Sequence, residues 1–248
     1  MNNTQKFSGK ADVYAAARPS YPKELFTFLK NKYHFGAGTV IADIASGTGK
    51  FTQPLVQMGC KVYAVEPNDD MRRQAELLLG GYENFISVNG SAEYTGLADH
   101  CVDFISAAQA FHWFDPARFA AECKRIIKPN SKVFILYNSH DEDAEITKRL
   151  SGLCQRLCPK FKGFSGDAKS NNVERFFNGG CERFTFPNDL YYDRDSFVKR
   201  MLSSSYAPRE GDENYNSFIT ELNAVFDDFS DNDNLLMPNN AQVYVGYA

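Results

Sequence analysis

Residues 40–66 read VIADIASGTGKFTQPLVQMGCKVYAVE, and this stretch decides the fold. Val40, Ile41 and Ile44 form an apolar run suited to a central parallel strand buried on both faces. Ala45, Ser46, Gly47, Thr48 and Gly49 follow at once and leave little side-chain bulk between backbone and a ligand, and glycine tolerates backbone angles closed to other residues. Residues 49–58 carry Phe51, Leu55, Val56 and Met58 on a helix face, with Pro54 in the first turns where proline is tolerated. Residues 60–65 read as a second buried strand. Asp43 and Glu66 stand at the ends of the two strands. A strand, small-residue turn, helix and strand in this order form a nucleotide-binding half-unit, with the ligand expected at the carboxyl ends of the strands.

The glycine spacing narrows the ligand. A dinucleotide turn requires G-x-G-x-x-G/A, whereas here Thr52 occupies the third small position. A phosphate-cradling P-loop requires Gly-Lys-Ser/Thr, whereas Lys50 is followed by Phe51. The pattern D-x-A-x-G-x-G, with Glu66 closing the next strand, resembles motif I and the acidic loop of class I S-adenosylmethionine-dependent methyltransferases. Ala45 stands where that family usually has glycine. The resemblance implies S-adenosyl-L-methionine as cofactor, lined by Ala45, Ser46, Gly47, Thr48, Gly49 and Pro67. It places Asp43 toward the cofactor's amino group and sulfonium. It gives Glu66 both ribose hydroxyls, a pairing that suits a carboxylate because it accepts two hydrogen bonds at once. Met71 would pack on the adenine, with core packing as the other reading.

Composition excludes several classes. The chain has 248 residues, 43% hydrophobic and 23% charged, with a net charge of −4. This is ordinary for a globular protein and argues against nucleic acid or an anionic membrane as the main partner. No apolar run reaches the length of a membrane span, and residues 1–6 do not begin a secretory signal. The six cysteines include no C-x-x-C pair, so neither a metal site nor a disulfide framework is expected, and a cytoplasmic location with reduced thiols follows.

Three further stretches extend the resemblance. Near the start, Y-x-x-x-R-P-x-Y-P (Tyr14, Arg18, Tyr21) is similar to small-molecule methyltransferases of the type-11 group, including trans-aconitate methyltransferase-like proteins. This implies a lid in which tyrosine faces meet a cationic sulfur and Arg18 holds a carboxylate; a cover over the sheet edge is the alternative. Gly90-Ser91-Ala92-Glu93 resembles the family's G-x-A-E segment, which implies adenine contact from Ser91, Ala92 and Glu93. After a fourth strand, A-F-H-W-F-D resembles the family's loop at that place, which implies that Ala108, Gln109, His112 and Trp113 face ligands. Simple packing is the other reading for Phe111 and Trp113.

The remaining pattern predicts helices over 23–33, 69–79, 116–127, 145–157, 196–203 and 214–229, and strands over 85–88, 101–106, 132–138, 181–192 and 242–247. Residues 159–172 and 227–234 read as loops. Strands alternating with helices make a doubly wound, seven-stranded, mostly parallel α/β sheet the expected fold, with an antiparallel late strand. The chain reads as a single domain, 1–248: a lid and first helix (1–36), a cofactor-binding core (37–138), and substrate-side insertions with the last two strands (139–248). Within the insertions, S-S-S-Y-A-P resembles an acceptor-side segment and implies that Tyr206 and Arg200 lie near the substrate.

Methyl transfer from a sulfonium needs alignment above all, and a carboxylate acceptor is already deprotonated, so Arg18 or Arg200 with tyrosine hydroxyls would suffice. An amine or alcohol would need a base, for which His112 is the candidate. O-methylation of a small carboxylate is therefore the expected activity, with the oligomeric state unspecified. The alternatives are N- or hydroxyl O-methylation, a nicotinamide-dependent oxidoreductase, and a non-catalytic cofactor-binding module.

Overall fold

The computed structural model describes residues 20–164, 170–204 and 206–248. Tyr14 and Arg18 therefore lie outside the described residues. Elements follow in the order α1 Lys23–Tyr33, β1 Val40–Ile44, α2 Thr52–Gln57, β2 Lys61–Val65, α3 Asp69–Leu79, β3 Phe85–Val88, β4 Val102–Ala108 and a short 3-10 turn, Phe111–Trp113. Then come α4 Pro116–Ile126, β5 Ile127–His140, α5 Glu145–Leu157, α6 Ser170–Phe176, β6 Asn178–Pro187, β7 Leu190–Tyr192, α7 Arg194–Leu202, α8 Tyr215–Phe229, β8 Ser230–Asp231, β9 Asn234–Met237 and β10 Asn239–Tyr247.

A seven-stranded sheet runs in the order β3-β2-β1-β4-β5-β10-β6. Its first five strands pair in parallel, and the whole is mostly parallel with one antiparallel strand, as the sequence predicts. Both faces are covered. Ile41, Val62, Phe134 and Leu136 pack with Leu25 and Leu29 of α1 and Leu55 and Val56 of α2. The alternate positions Ala42, Ile44, Ile105 and Ile135 pack with Phe119, Cys123 and Ile126 of α4. Successive strand residues point to opposite faces, which is why near-continuous apolar runs were needed.

The chain divides into two compact units. One comprises Met1–Tyr137, Ala168–Phe186 and Ala241–Ala248; the other comprises Asn138–Asp167 and Pro187–Asn240. The second unit has its own core, in which α5, α7, α8 and β9 bury Leu150, Leu153, Phe197, Phe218, Leu222, Phe226 and Leu235. It also has its own three-stranded sheet, β7-β9-β8, paired antiparallel.

Several boundaries differ from the sequence reading for local reasons. The first turn helix begins at Thr52 because Gly49, at φ 83°, cannot be helical. The turn expected at Pro129-Asn130 becomes a bulge inside β5: Val102 pairs with Ile127 and Phe104 with Lys132, and Asn130 takes φ 62°. The strand expected over 181–192 is two strands in two different sheets, broken after Pro187. Helix α6 lies partly inside the expected loop 159–172, and the expected acidic loop 227–234 contains β8.

Candidate functional site

The site of the first unit is built where β1, β2 and β4 end. Three residues of the turn after β1 take left-handed angles: Ala45 at φ 54°, Gly47 at 59° and Gly49 at 83°. Ala45, where glycine would be at ease, therefore holds a conformation that costs an L-residue about 1 kcal/mol or more. The turn is tied to β2, since Ser46 N donates to Val65 O (3.1 Å). Gly49 sits against α3, and a Cβ there would stand 2.8 Å from Leu79 Cδ1 and 3.4 Å from Ala75 Cβ. Gly49→Ala is therefore expected to destabilise the protein by about 1–3 kcal/mol through the positive φ and the contact, read as a lower midpoint in urea unfolding.

Glu66 organises the open side of the turn. One carboxylate oxygen, Oε2, accepts from Gly47 N (2.9 Å), and Oε1 accepts from Asn68 N (2.8 Å). Glu66 is buried; burial pushes its carboxyl up, while the Asn68 and Gly47 amides and the Arg72 charge pull it down. Each oxygen has a second lone pair beyond the backbone bond it accepts. Asn68 caps α3, its Oδ1 accepting from Asp70 N (3.1 Å) and Met71 N (3.0 Å). Met71, in that first turn, is buried with its sulfur beside Gly47, and Pro67 lies between Glu66 and the cap. Ser46 Oγ and Thr48 add polar atoms to the turn; Ser46 Oγ is enclosed without a hydrogen-bond partner among the described residues.

Asp43, expected toward the cofactor's amino group and sulfonium, is fully buried behind the turn, Oδ2 accepting from Thr52 Oγ1 (2.6 Å) and Oδ1 from Ser106 Oγ (2.8 Å). Through these hydroxyls of α2 and β4 the carboxylate fastens three elements. Burial raises its pKa to about 6, against the lowering effect of the two hydroxyls, and the nearby Glu66 charge adds to the rise. Thr52 and Ser106 were missed as site-building residues; a hydroxyl on the helix following an acid-ended strand was the signal available for Thr52.

At the loop after β3, Ser91 and Tyr94 exchange backbone bonds (2.9 and 3.3 Å) and Ala92 is buried. Glu93, expected at the adenine amino group, uses Oε1 to accept from Asp115 N (3.0 Å), tying this loop to the capped start of α4. After β4, Ala108 and Gln109 are half-buried, Gln109 at φ 58° with its amide bonded to Leu136 O (2.8 Å). In the 3-10 turn that follows, Phe111 is buried against Phe114, Phe119 and Phe176. His112 and Trp113 stay exposed, with ring centroids 4.6 Å apart, and His112 lies 6.0 Å from the Tyr137 ring. Packing thus claims Phe111 and leaves Trp113, 40% exposed, on the surface. Tyr21 packs edge-on against Phe51, the ring centroids 5.0 Å apart.

Arg200 and Tyr206 belong to the second unit. Arg200 is on α7, with Nη1 3.4 Å from Ser203 Oγ. The Tyr206 ring packs on Phe161 and Phe164.

Comparison with known proteins agrees with this geometry. Residues 42–135, from within β1 to within β5, match the family described as methyltransferase domain. Residues 42–135 are thus similar to a methyltransferase domain. An uncharacterized methyltransferase of Mycobacterium tuberculosis is 35% identical over 136 residues, 55% of this chain and 53% of the relative. A methyltransferase-like protein of Schizosaccharomyces pombe is 31% identical over 150 residues, 59% of this chain and 57% of the relative. The matches therefore span about half the length of these relatives. Among solved structures, one assigned to the type II methyltransferases, from Anaeromyxobacter dehalogenans, superposes with a TM-score of 0.70 at 23% identity, covering 93% of this chain and 97% of the other; this likeness is one of fold.

The residues present in the methyltransferase domain fit its cofactor. The second lone pairs of the Glu66 oxygens suit a ribose diol, the left-handed turn keeps side chains clear of the ligand path, and enclosed Ser46 Oγ is a polar atom without a partner among the described residues. Among the described residues, no helix is long and apolar enough to cross a membrane.

Proposed function

We propose that this chain methylates a small anionic molecule at a carboxylate oxygen, using S-adenosyl-L-methionine. The observation that carries the donor half is the Glu66 carboxylate, clamped by Gly47 N and Asn68 N at the end of β2. In this reading Glu66 accepts the ribose hydroxyls, Met71 packs on the adenine, and the backbone of residues 45–49 with Pro67, Ser91, Ala92, Ala108 and Gln109 lines the remainder. Bound cofactor would supply an electrophilic methyl group on a cationic sulfur, which leaves as a neutral thioether. Asp43 acts as a positioning residue that fixes the turn through Thr52. On the acceptor side we place Tyr14, Arg18, Tyr21 and Trp113, with Arg18 holding the carboxylate and tyrosine and tryptophan faces excluding water.

A second reading has an observation in its favour. His112 presents an exposed imidazole beside Trp113 and Tyr137, which a base for an amine or hydroxyl acceptor requires. A phosphoethanolamine N-methyltransferase from Haemonchus contortus, in complex with phosphomonomethylethanolamine and S-adenosylhomocysteine, shares the fold at a TM-score of 0.55 and 14% identity over 99% of this chain and 59% of that one.

The experiment is methyl transfer from labelled cofactor to panels of carboxylic acids, amines and alcohols. Base-labile methyl esters formed by wild type and retained by His112→Ala are the expected result. Turnover confined to amines or alcohols and lost in His112→Ala would select the second reading. No transfer to any panel, with cofactor still bound, would leave a binding module.

A further inference from the structure

The three-stranded sheet of the second unit has two unlike faces. Its inner face follows from alternation: Leu235 and Met237 of β9 are buried, and Leu190 and Tyr192 of β7 pack on the same core. The residues between them point the other way, and two of these are large and apolar. Tyr191 on β7 is 64% exposed, Leu236 on β9 is 41% exposed, and the register sets them directly opposite each other. Phe229, the residue before β8, is 37% exposed. The next residue, Ser230, pairs with Leu235, which brings Phe229 to the level of Leu236. Single exposed apolar side chains are ordinary on a protein surface, whereas a contiguous group of them marks a contact surface. The hairpin holds this row in place: Asn232 and Asp233, between β8 and β9, take φ 48° and 57°. Two left-handed residues in succession match the twist of the strands they join and fix their register.

Charge decides the partner. Residues 227–233 read DDFSDND, four aspartates without a basic residue. Asp227 is paired with Arg194. Asp228, Asp231 and Asp233 are exposed, and among the described residues none of the three forms an ion pair. Asp231 pairs with Asn234 across the sheet. Paired residues share a face, so Asp231 stands on the same side as Leu236, two positions along from it. A second copy of the chain would bring these carboxylates against their own images, and an anionic membrane or nucleic acid would be repelled. A segment that carries Lys or Arg beside apolar side chains complements both the row and its charged margin.

We propose that the outer face of β7, β9 and β8 is a docking surface for a basic, apolar-bearing peptide segment of another protein. Tyr191, Leu236 and Phe229 take its apolar side chains, and Asp228, Asp231 and Asp233 take its cations. None of these residues belongs to the proposed methyl-transfer site, so the two readings stand or fall separately.

The test is fluorescence anisotropy of a short labelled peptide of alternating leucine and lysine, titrated with the full chain, beside the same peptide with glutamate in place of lysine. Wild type is expected to bind the basic peptide about tenfold or more tightly than the acidic one. Tyr191→Ser with Leu236→Ser is expected to weaken that binding by about tenfold. Both side chains face outward, so the urea midpoint stays near that of wild type. Asp228→Asn with Asp231→Asn and Asp233→Asn is expected to weaken binding by about fivefold and to flatten its dependence on salt; it serves where the first variant does not fold. Equal binding of the two peptides, affinity for the basic peptide unchanged in either folded variant, or no binding to wild type overturns the proposal. So does a wild-type dimer in sedimentation that Tyr191→Ser with Leu236→Ser converts to monomer, which would assign the face to a second copy.

Discussion

Glu66→Ala is expected to weaken S-adenosylhomocysteine binding by about 100-fold or more, measured by calorimetry. A hydrogen bond to a charged group contributes roughly 1.5–3 kcal/mol, and a ribose diol offers two of them to one carboxylate. Since each 1.4 kcal/mol is about tenfold in affinity, even the low end of that range reaches about 100-fold. The substitution also removes the acceptor of Gly47 N and of Asn68 N, so the turn and the start of α3 loosen together. Glu66→Gln separates the contributions, because its amide retains one acceptor oxygen and loses the charge; an intermediate loss is expected. Undiminished affinity in a folded Glu66→Ala would remove Glu66 from the ribose role.

The second large effect is on stability and depends on pH. Asp43 is fully buried, and its pKa rises from an ordinary 3.8 to about 6. Below about pH 3 the carboxyl is protonated in folded and unfolded chains alike and contributes no pH dependence. As pH rises toward 6 the unfolded chain releases this proton while the folded chain keeps it, so folding becomes less favourable. Above about pH 6 the loss is complete, and two pKa units correspond to about 3 kcal/mol. Asp43→Asn removes the titration while keeping an acceptor oxygen and the side-chain shape. Its stability relative to wild type is therefore expected to improve by about 3 kcal/mol between pH 3 and pH 7 in urea unfolding. Parallel stability curves for the two proteins would show that Asp43 does not titrate in this window.

The first unit was legible because its signals are local. Asn68 caps a helix within three residues, Asp115 caps α4 beside Pro116, and the apolar runs at Val40–Ile44 and Phe85–Val88 name their own strands. The place of Glu66 at the end of β2 was legible for the same reason, since it closes a strand at a fixed distance from a small-residue turn. What failed depended on partners distant in sequence. Nothing local announces Ser106, 63 residues away, as a hydrogen-bond donor to Asp43. Residues 181–192 read as one strand because alternation cannot say which sheet each half joins. His140 carried no signal at all: only folding brings it beside Phe164.

The strand order has a consequence for how the chain can assemble. The last strand, β10, fills the place between β5 and β6, and its Val243 and Val245 lie in the core. Until residues 239–247 are available, β5 presents a bare hydrogen-bonding edge and β6 has no neighbour on that side to hold it. Such exposed edges favour pairing with other chains, and contacts this remote in sequence form slowly. A ribosome-bound chain lacking only its final segment would therefore carry an almost complete turn and donor-side loops on an unfinished sheet. Loss of those few residues is a route to aggregation even though none of them belongs to the proposed donor site.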